Sequence, residues 1–421
     1  MLEKAKRYLI SGSILYHIGK KITKFFTRLR RKADFMIGVM VRRIVYSHGE
    51  IVPNKIFVMT FENSFSCNAK YIVSEILKQK LPLDIVWVVP AKGEIQEDQF
   101  PDGIRLVRRG SYTMFEEQAS AKIWIDNALN CVWYGMPKKD GQIYINTWHG
   151  SMGIKRLSGD RAWMHRAKRC NKLTDYCVTN STFEENVFKD TFWRDIPVLK
   201  YGHARNDILF HSETDKRLRK QVCTFLNIEN TENKRLFLYA PTFRDKKGEA
   251  YEPVDYHRLK TTLTERFGGE WLILVRSHFK DRTQKTTVKY NEWLIDASPY
   301  ADMQQLLAIV DAGMTDYSSW AYDFVLTKRP LFLYAPDLEN YDEARGFYYP
   351  LESTPFPLSK TNDEIESCIL TFDFEKYRIA IEKFLNEKGC YEDGHASERV
   401  VEKLKELMNF EKYNGDECLI N

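Results

Sequence analysis

The feature that most constrains this 421-residue chain is one pattern met twice. Short apolar runs alternate with segments of helical periodicity, and the runs end at small or polar residues. In the first series the strand-like runs are Ile56–Thr60, Asp84–Val89, Ile104–Val107, Lys122–Asp126, Gln142–Thr147 and Tyr176–Thr179. Helical patterns cover Asn68–Gln79 and Glu116–Ala121, and another opens at Ser181, where Glu184 three residues on completes a capping box. In the second series the runs are Arg235–Tyr239, Trp271–Val275, Trp293–Asp296, Ile309–Gly313 and Leu331–Tyr334, with helices over Tyr256–Phe267 and Met303–Ala308. Strands alternating with helices predict parallel sheets covered on both faces. The expected fold is therefore α/β, with two tandem doubly wound, Rossmann-like domains behind a basic helical N-terminal segment. The divisions fall at 1–47 for that segment, 48–202 for the first domain and 203–234 for a crossing segment with a charged helix over Thr214–Leu226. Residues 235–375 form the second domain and 376–421 a helical tail.

Charge is unevenly placed. Twelve Lys and Arg lie between Lys4 and Arg43 against only Glu3 and Asp34, so the body is slightly acidic although the whole chain is at +5. No nucleic-acid partner is expected from such a body. Helical spacing over residues 1–47 puts aromatics on one face and cations on the other, as in helices that lie on an anionic membrane surface. A solvated basic helix packed on its own domain has the same pattern. No apolar run reaches the ~18–20 residues of a membrane span, and no signal-peptide cleavage pattern opens the chain. The eight cysteines are scattered without a CxxC pair, which suits reduced thiols buried as small hydrophobes. These features predict a peripheral protein on the cytoplasmic side of a membrane. Homo-oligomerisation is left open.

In open parallel sheets ligands bind beyond the carboxyl ends of the strands, and the unusual polar residues fall there. Thr315-Asp316-Tyr317-Ser318-Ser319 follows a strand and precedes a helical pattern, so free N–H groups and two hydroxyls would meet an anion at a helix start. Thr242 and Arg244, and Arg276 and His278, end two more runs of the second series. Arginine offers planar, bidentate phosphate recognition, and Arg205 is a further candidate. Asp316 could cap the helix. Asp323, four residues after Ser319, either orients a phosphate-binding group or pairs with Lys328 or Arg329. In the first series Trp148-His149-Gly150 ends a strand, followed by Ser151 and Gly153. Glycines there let backbone approach a ligand, and a neutral imidazole suits proton removal from an alcohol. The cluster Lys155, Arg156, Arg161, Arg166, Lys168 and Arg169 is either a surface for an anionic acceptor or a solvated helix face. No GxxxxGK(S/T) phosphate loop and no GxGxxG after the first strand is present, which argues against an ordinary ATPase and a nicotinamide enzyme. No DxD motif is present either, so transfer without metal or cofactor is expected.

Several segments together resemble one family. WHGSMGIKRL (Trp148–Leu157) is similar to the WHG-S/T-x-x-K-x-L motif of the CDP-glycerol glycerophosphotransferases, the teichoic-acid primases and polymerases. GHARND (Gly202–Asp207) resembles their G-x-x-R-N-D, LYAPTFRD (Leu238–Asp245) their YAPT-x-R-D, and TDYSSWAYDF (Thr315–Phe324) their TDYSS-x-x-x-DF. PLFLYAPDLENYDEARGFYYP (Pro330–Pro350) resembles their segment ending in RGFY. The matches run in consistent order over about residues 50–360. The resemblance implies a GT-B fold and transfer of an alditol phosphate, chiefly glycerol phosphate, from its CDP conjugate to a lipid-linked glycan or polyol-phosphate acceptor, releasing CMP at the inner membrane face. It implies His149 as base on the acceptor hydroxyl, beside Gly150, Ser151 and Lys155. It also implies His278 on the donor phosphates and Thr315, Ser318 and Ser319 as the pyrophosphate turn. CDP-ribitol as donor, or a nucleotide-sugar glycosyltransferase on the same fold, are the alternatives. The chain departs from the family pattern at Phe279, often proline, at Ser151, commonly threonine, and at His203-Ala204, often Tyr-Pro.

Overall fold

The computed structural model describes residues 49–409 apart from 62–63, 94, 96, 158–160, 192, 212–215, 230–232, 243–251, 278–287, 340 and 342–345, together with scattered positions from 29 to 47. The basic segment 1–47 thus lies almost wholly outside the described residues. So do His278 and Arg244.

Seven parallel strands form the first sheet: β1 (Val52–Met59), β2 (Asp84–Val89), β3 (Ile104–Arg108), β4 (Ala121–Asp126), β5 (Ile143–Asn146), β6 (Tyr176–Val178) and β7 (Val198–Leu199), in the order 3-2-1-4-5-6-7. Between them run α1 (Cys67–Lys78), α2 (Tyr112–Ser120), α3 (Arg161–Leu173) and α4 (Thr182–Thr191). Period-two alternation divides the strands between two cores. Phe57, Met59, Val86, Val88 and Trp124 face one side, while Ile56, Val58, Ile85, Trp87, Ile123 and Ile125 face the other. Both sets are buried, which is why these strands read as unbroken apolar runs.

A short connection, with α5 (Asp207–Phe210) and α6 (Lys216–Phe225), leads to the second sheet. Its strands are β8 (Lys234–Tyr239), β9 (Glu270–Val275), β10 (Leu294–Asp296), β11 (Ala312–Thr315), β12 (Leu331–Tyr334) and β13 (Leu358–Ser359), all parallel. Their spatial order, 10-9-8-11-12-13, repeats that of the first sheet. The helices here are α7 (Tyr256–Phe267), α8 (Met303–Ile309), α9 (Ala321–Phe324), α10 (Asn362–Leu370) and α11 (Phe374–Lys388). Side-chain caps start four of them: Asp255 accepts from Arg258 N, Asp302 from Gln304 N, Thr361 from Glu364 N and Asp373 from Glu375 N.

Three expectations are corrected. The strand before the serine turn is Ala312–Thr315, because Ile309 still belongs to α8. The capping box at Ser181 is half made: Ser181 Oγ accepts from Glu184 N, but the Glu184 carboxylate takes the N–H of Asn180. The division at 375/376 falls inside α11. The helical tail packs on both lobes. The last helix, α12 (Ala396–Leu407), returns to the first sheet, where Val400, Val401 and Leu404 join the core beside Ile72 and Ile76 of α1. Further ties cross between the lobes. Lys70 and Tyr71 of α1 hold Asp302, the cap of α8, at 2.5 and 3.0 Å. Residues 154–156 pair with 346–348, with Arg156 N donating to Gly346 O at 3.0 Å and Tyr348 N to Ile154 O at 2.8 Å.

Candidate active site

In each sheet the strand order reverses between the first and fourth strands, and the site lies where these two switch points face each other. In the first lobe Asp126, at the end of β4, is fully buried and organises the next loop. It accepts from the backbone N–H groups of Ala128, Asn130 and Cys131 and from the Tyr144 hydroxyl, at 2.7–2.8 Å. Burial still raises its pKa, against those hydrogen bonds. This loop sets Asn127, which accepts from Phe61 N through its side chain at 2.8 Å and meets His149 Nδ1 through its carbonyl at 2.6 Å.

β5 delivers the histidine through a strained residue. Trp148 has φ +51°, the left-handed region that costs an L-residue energy. The conformation is held from both sides. Asn146 Oδ1 accepts from Trp148 N at 2.9 Å, and Asn68 of α1 donates to the carbonyls of Thr147 and Trp148 at 3.0 Å each. The turn presents the His149 ring against Phe61, stacked at 5.2 Å and 14°.

The Asn127 carbonyl can only accept, so His149 Nδ1 carries the proton and Nε2 keeps its lone pair. Burial lowers the His149 pKa to about 4, with the Arg205 cation acting in the same sense and the Asn127 carbonyl opposing. The ring is therefore neutral around pH 7 and built as a proton acceptor. It stands between two cavities. A larger one of about 360 Å³ is lined by His149, Gly150, Ser151, Lys155, Trp163 and Arg166 of the first lobe and reaches Ser319 and Tyr348 of the second. A smaller one of about 250 Å³ lies toward the second sheet, lined by His149, Arg205, Arg276, Ser277, Ser318 and Ser319. Phe61, His149 and Ser319 border both.

The second-lobe residues divide into wall and scaffold. Ser318 and Ser319 line the smaller cavity. Thr315 and Asp316 are buried below it: the Thr315 hydroxyl donates to Ala240 O at 2.8 Å, and the Asp316 carboxylate accepts from Thr242 N at 2.9 Å and from Tyr317 N at 2.5 Å. This ties the end of β8 to the end of β11. The helix-start argument for the serine turn is corrected, because α9 has only four residues and passes into a 3₁₀ turn at Val325–Thr327, so little macrodipole stands behind it. Arg276 borders the smaller cavity while two of its guanidinium nitrogens donate to Tyr300 O and Ala301 O, at 3.0 and 3.3 Å.

Arg205 and Asp323 form a buried pair. Arg205 Nε donates to Asp323 Oδ2 at 3.0 Å and Nη2 to Oδ1 at 3.1 Å, and Nη2 also reaches Gly150 O. Burial works against the guanidinium charge, but Asp323 outweighs it and the Arg205 pKa is raised. The alternative partners of Asp323 are thereby set aside: Lys328 pairs with Glu382, and Arg329 holds the carbonyls of Ala308 and Val310. The basic cluster after His149 proves mixed. Lys155 and Arg156 lie in the segment paired with 346–348, while the other four lie on α3, which buries only Ala167 and Cys170. Lys168 is exposed, Arg169 holds Gly135 O, and Arg166 lies over the Trp133 ring at 4.3 Å beside the larger cavity. Among the described residues no group of three or more His, Cys, Asp or Glu side chains is arranged to hold a metal ion.

Sequence reasoning passed over Phe61, Asn68, Asn127, His203 and Glu392. Asn68 had no signal beyond its place in a helix, and Glu392 none at all. His203 stood in GHARND, where it was noted as a departure from the family pattern but given no role.

Two Rossmann-like lobes, with a neutral imidazole at one switch point facing arginine and serine hydroxyls at the other, define a group-transfer enzyme that handles a phosphorylated donor. The sequence profile of the CDP-glycerol:poly(glycerophosphate) glycerophosphotransferases matches residues 42–406. The chain belongs to that family, and it is an enzyme of the glycerophosphotransferase type. It is 28% identical over 389 residues to a teichoic acid poly(glycerol phosphate) polymerase of Bacillus spizizenii, covering 87% of this chain and 96% of the relative. A polymerase of the same name from Bacillus subtilis is 28% identical over 95% of this chain but only 55% of its own length. The teichoic acid glycerol-phosphate transferase of Staphylococcus aureus is 28% identical over 84% of this chain and 94% of its own. The chain thus spans nearly all of two of these relatives and about half of the third. In fold it is similar to the wall teichoic acid polymerase TagF, with a TM-score of 0.76 at 24% identity over 93% of this chain and 99% of that one.

Proposed function

We propose that this enzyme transfers glycerol phosphate from CDP-glycerol to a hydroxyl of a lipid-linked, teichoic-acid-type acceptor and releases CMP. The observation that carries the reading is the place of His149, its Nε2 lone pair free, on the border between two cavities. The donor lies in the smaller cavity, with its diphosphate toward Arg276, Ser318 and Ser319. The acceptor enters the larger one past Lys155 and Arg166. Its oxygen attacks the β-phosphorus, forming the new P–O bond as its proton passes to His149 Nε2. The bond from β-phosphorus to the bridging oxygen breaks, and that oxygen leaves with CMP. A bound diphosphate beside the ring raises the low imidazole pKa, so the base gains strength when the donor is in place. Such a reaction is mostly positioning and electrostatics. His278 is assigned to the donor phosphates on the family resemblance and Arg244 on its place at a strand end; both lie outside the described residues.

The relatives support glycerol phosphate first: three of them carry it in their names, and one TagF structure comes from a crystal soaked with CDPG. Among the described residues no helix is long and apolar enough to cross a membrane, and the basic segment 1–47 is the proposed peripheral contact with an anionic inner membrane face. The test is mass spectrometry of the product made on a synthetic lipid-linked acceptor from CDP-glycerol, CDP-ribitol or a nucleotide sugar. The reading expects added glycerol phosphate units with equimolar CMP. Product from a nucleotide sugar alone would overturn it, and product from CDP-ribitol alone would change the alditol.

A further inference from the structure

We propose that His203 is a positioning residue that closes a ring of polar contacts around the His149 loop. His203 is fully buried, and its Nε2 lies 3.0 Å from Glu184 Oε2. Its backbone N–H points the other way, to the Glu392 carboxylate at 3.1 and 3.2 Å. Each carboxylate starts an arm that ends on the same loop.

On one arm Glu184 Oε2 accepts from Asn180 N at 3.0 Å, and the Asn180 amide donates to Ser151 Oγ at 2.8 Å. On the other, Asn206 Nδ2 spans from Glu392 Oε1 at 2.8 Å to Asp323 Oδ1 at 3.2 Å. Asp323 holds Arg205, which donates to Gly150 O. Gly150 and Ser151 are consecutive, directly after His149, so the ring is closed. Apart from Glu392, whose stem keeps some exposure, and Gly150, which borders the cavity, its members are buried. It draws on both lobes and on the C-terminal segment that leads into α12. That segment is fitted closely: Gly202 has φ +86°, and a Cβ there would lie 2.7 Å from Glu392 Oε2.

The His203 ring faces the Glu184 carboxylate at 3.0 Å, and its backbone N–H faces that of Glu392. Polar contacts at low dielectric depend on one another, and the loop this ring holds carries the base.

The inference rests on the reading of His149 as that base, and its test is arranged to fail separately. Full-length His203→Gln, Glu184→Gln and the double variant are compared for CMP release from CDP-glycerol, for the pH profile of kcat, and for hydrogen exchange in peptides spanning residues 146–154. His203→Gln should lower kcat roughly 10- to 100-fold, the loss expected of a base displaced by about 1 Å. KM for CDP-glycerol should stay within about threefold, as the donor cavity is untouched. Exchange of the 146–154 peptides should rise. Removing the facing carboxylate in the double variant should restore exchange protection and part of kcat. His203→Gln with wild-type exchange and an unchanged pH profile overturns the proposal. So does a double variant no better than His203→Gln in either fold or loop protection. Loss of the base reading would show instead as sustained turnover in His149→Ala, while the exchange result still decides the ring.

Discussion

Replacing Asp323 by alanine should separate the two lobes' shared site from the rest of the fold. Asp323 is 3% exposed and accepts from Arg205, from Asn206 at 3.2 Å and from Gln304 at 2.8 Å. Two unit charges about 4 Å apart attract by about 4 kcal/mol at an effective dielectric near 20. Removing one partner of a buried pair costs about 3–5 kcal/mol, because the other charge stays behind without compensation. Asn206 and Gln304 lose an acceptor as well, at about 1–3 kcal/mol for each donor left unsatisfied, though these losses overlap with the first. A cost of about 4 kcal/mol is therefore expected for Asp323→Ala. For a lobe of roughly 200 residues, each kcal/mol lowers Tm by about 2–4 °C, so the transition should fall by roughly 8–16 °C. The comparison is Lys328→Ala, which breaks a surface pair with Glu382 whose side chains are 47% and 60% exposed. That change should cost about 0–1 kcal/mol. Differential scanning calorimetry of the two variants beside wild type makes the measurement. An Asp323→Ala protein that melts with wild type, or no earlier than Lys328→Ala, would refute the reasoning that the buried pair joins the lobes.

Three further outcomes follow from the same geometry. Burial, reinforced by Asp323, raises the Glu392 pKa from 4.5 to about 7, so the folded state holds a proton there that the unfolded chain has released. Its stabilising contribution is complete below pH 4.5 and is lost as pH rises through about 7, so Glu392→Gln should flatten the urea-unfolding free energy across that window. Asn68→Ala removes both donors that hold the Thr147 and Trp148 carbonyls, so about 1–3 kcal/mol of stability should go, with a fall in kcat larger than any rise in KM. Thr315→Val should cost about 1 kcal/mol by losing its bond to Ala240 while leaving CDP-glycerol affinity intact. Ser319→Ala should do the reverse in calorimetric titration with CDP-glycerol.

The fold was largely legible because it is written in local pattern. β2 and α7 have the bounds read from the sequence, and the paired runs of buried strands foretold two parallel sheets. Errors gathered where tertiary contacts outweigh local preference. Ile309 is apolar enough to extend a strand, yet it completes α8, whose Asp302 cap is pinned by Lys70 from the other lobe. α3 was half read, since only Ala167 and Cys170 of its residues are buried and the helix is strongly polar as a whole. The site was legible at strand ends, where topology places ligands, and so His149, Ser318, Ser319 and Arg276 come to line the cavities. What stayed hidden was the support beneath. Glu392 lies 189 residues after His203 in the chain, yet the two are in contact. No spacing rule links them, and only the return of α12 to the first lobe brings them together.

The central claim is that His149 takes the acceptor proton, and the most direct test is single-turnover CMP release by His149→Ala with saturating CDP-glycerol and acceptor. Loss of a positioned general base should slow the chemical step by about 10²–10⁴-fold, with the dissociation constant for CDP-glycerol changed by no more than about threefold. A variant that releases CMP into the product at a near-wild-type rate would contradict the account.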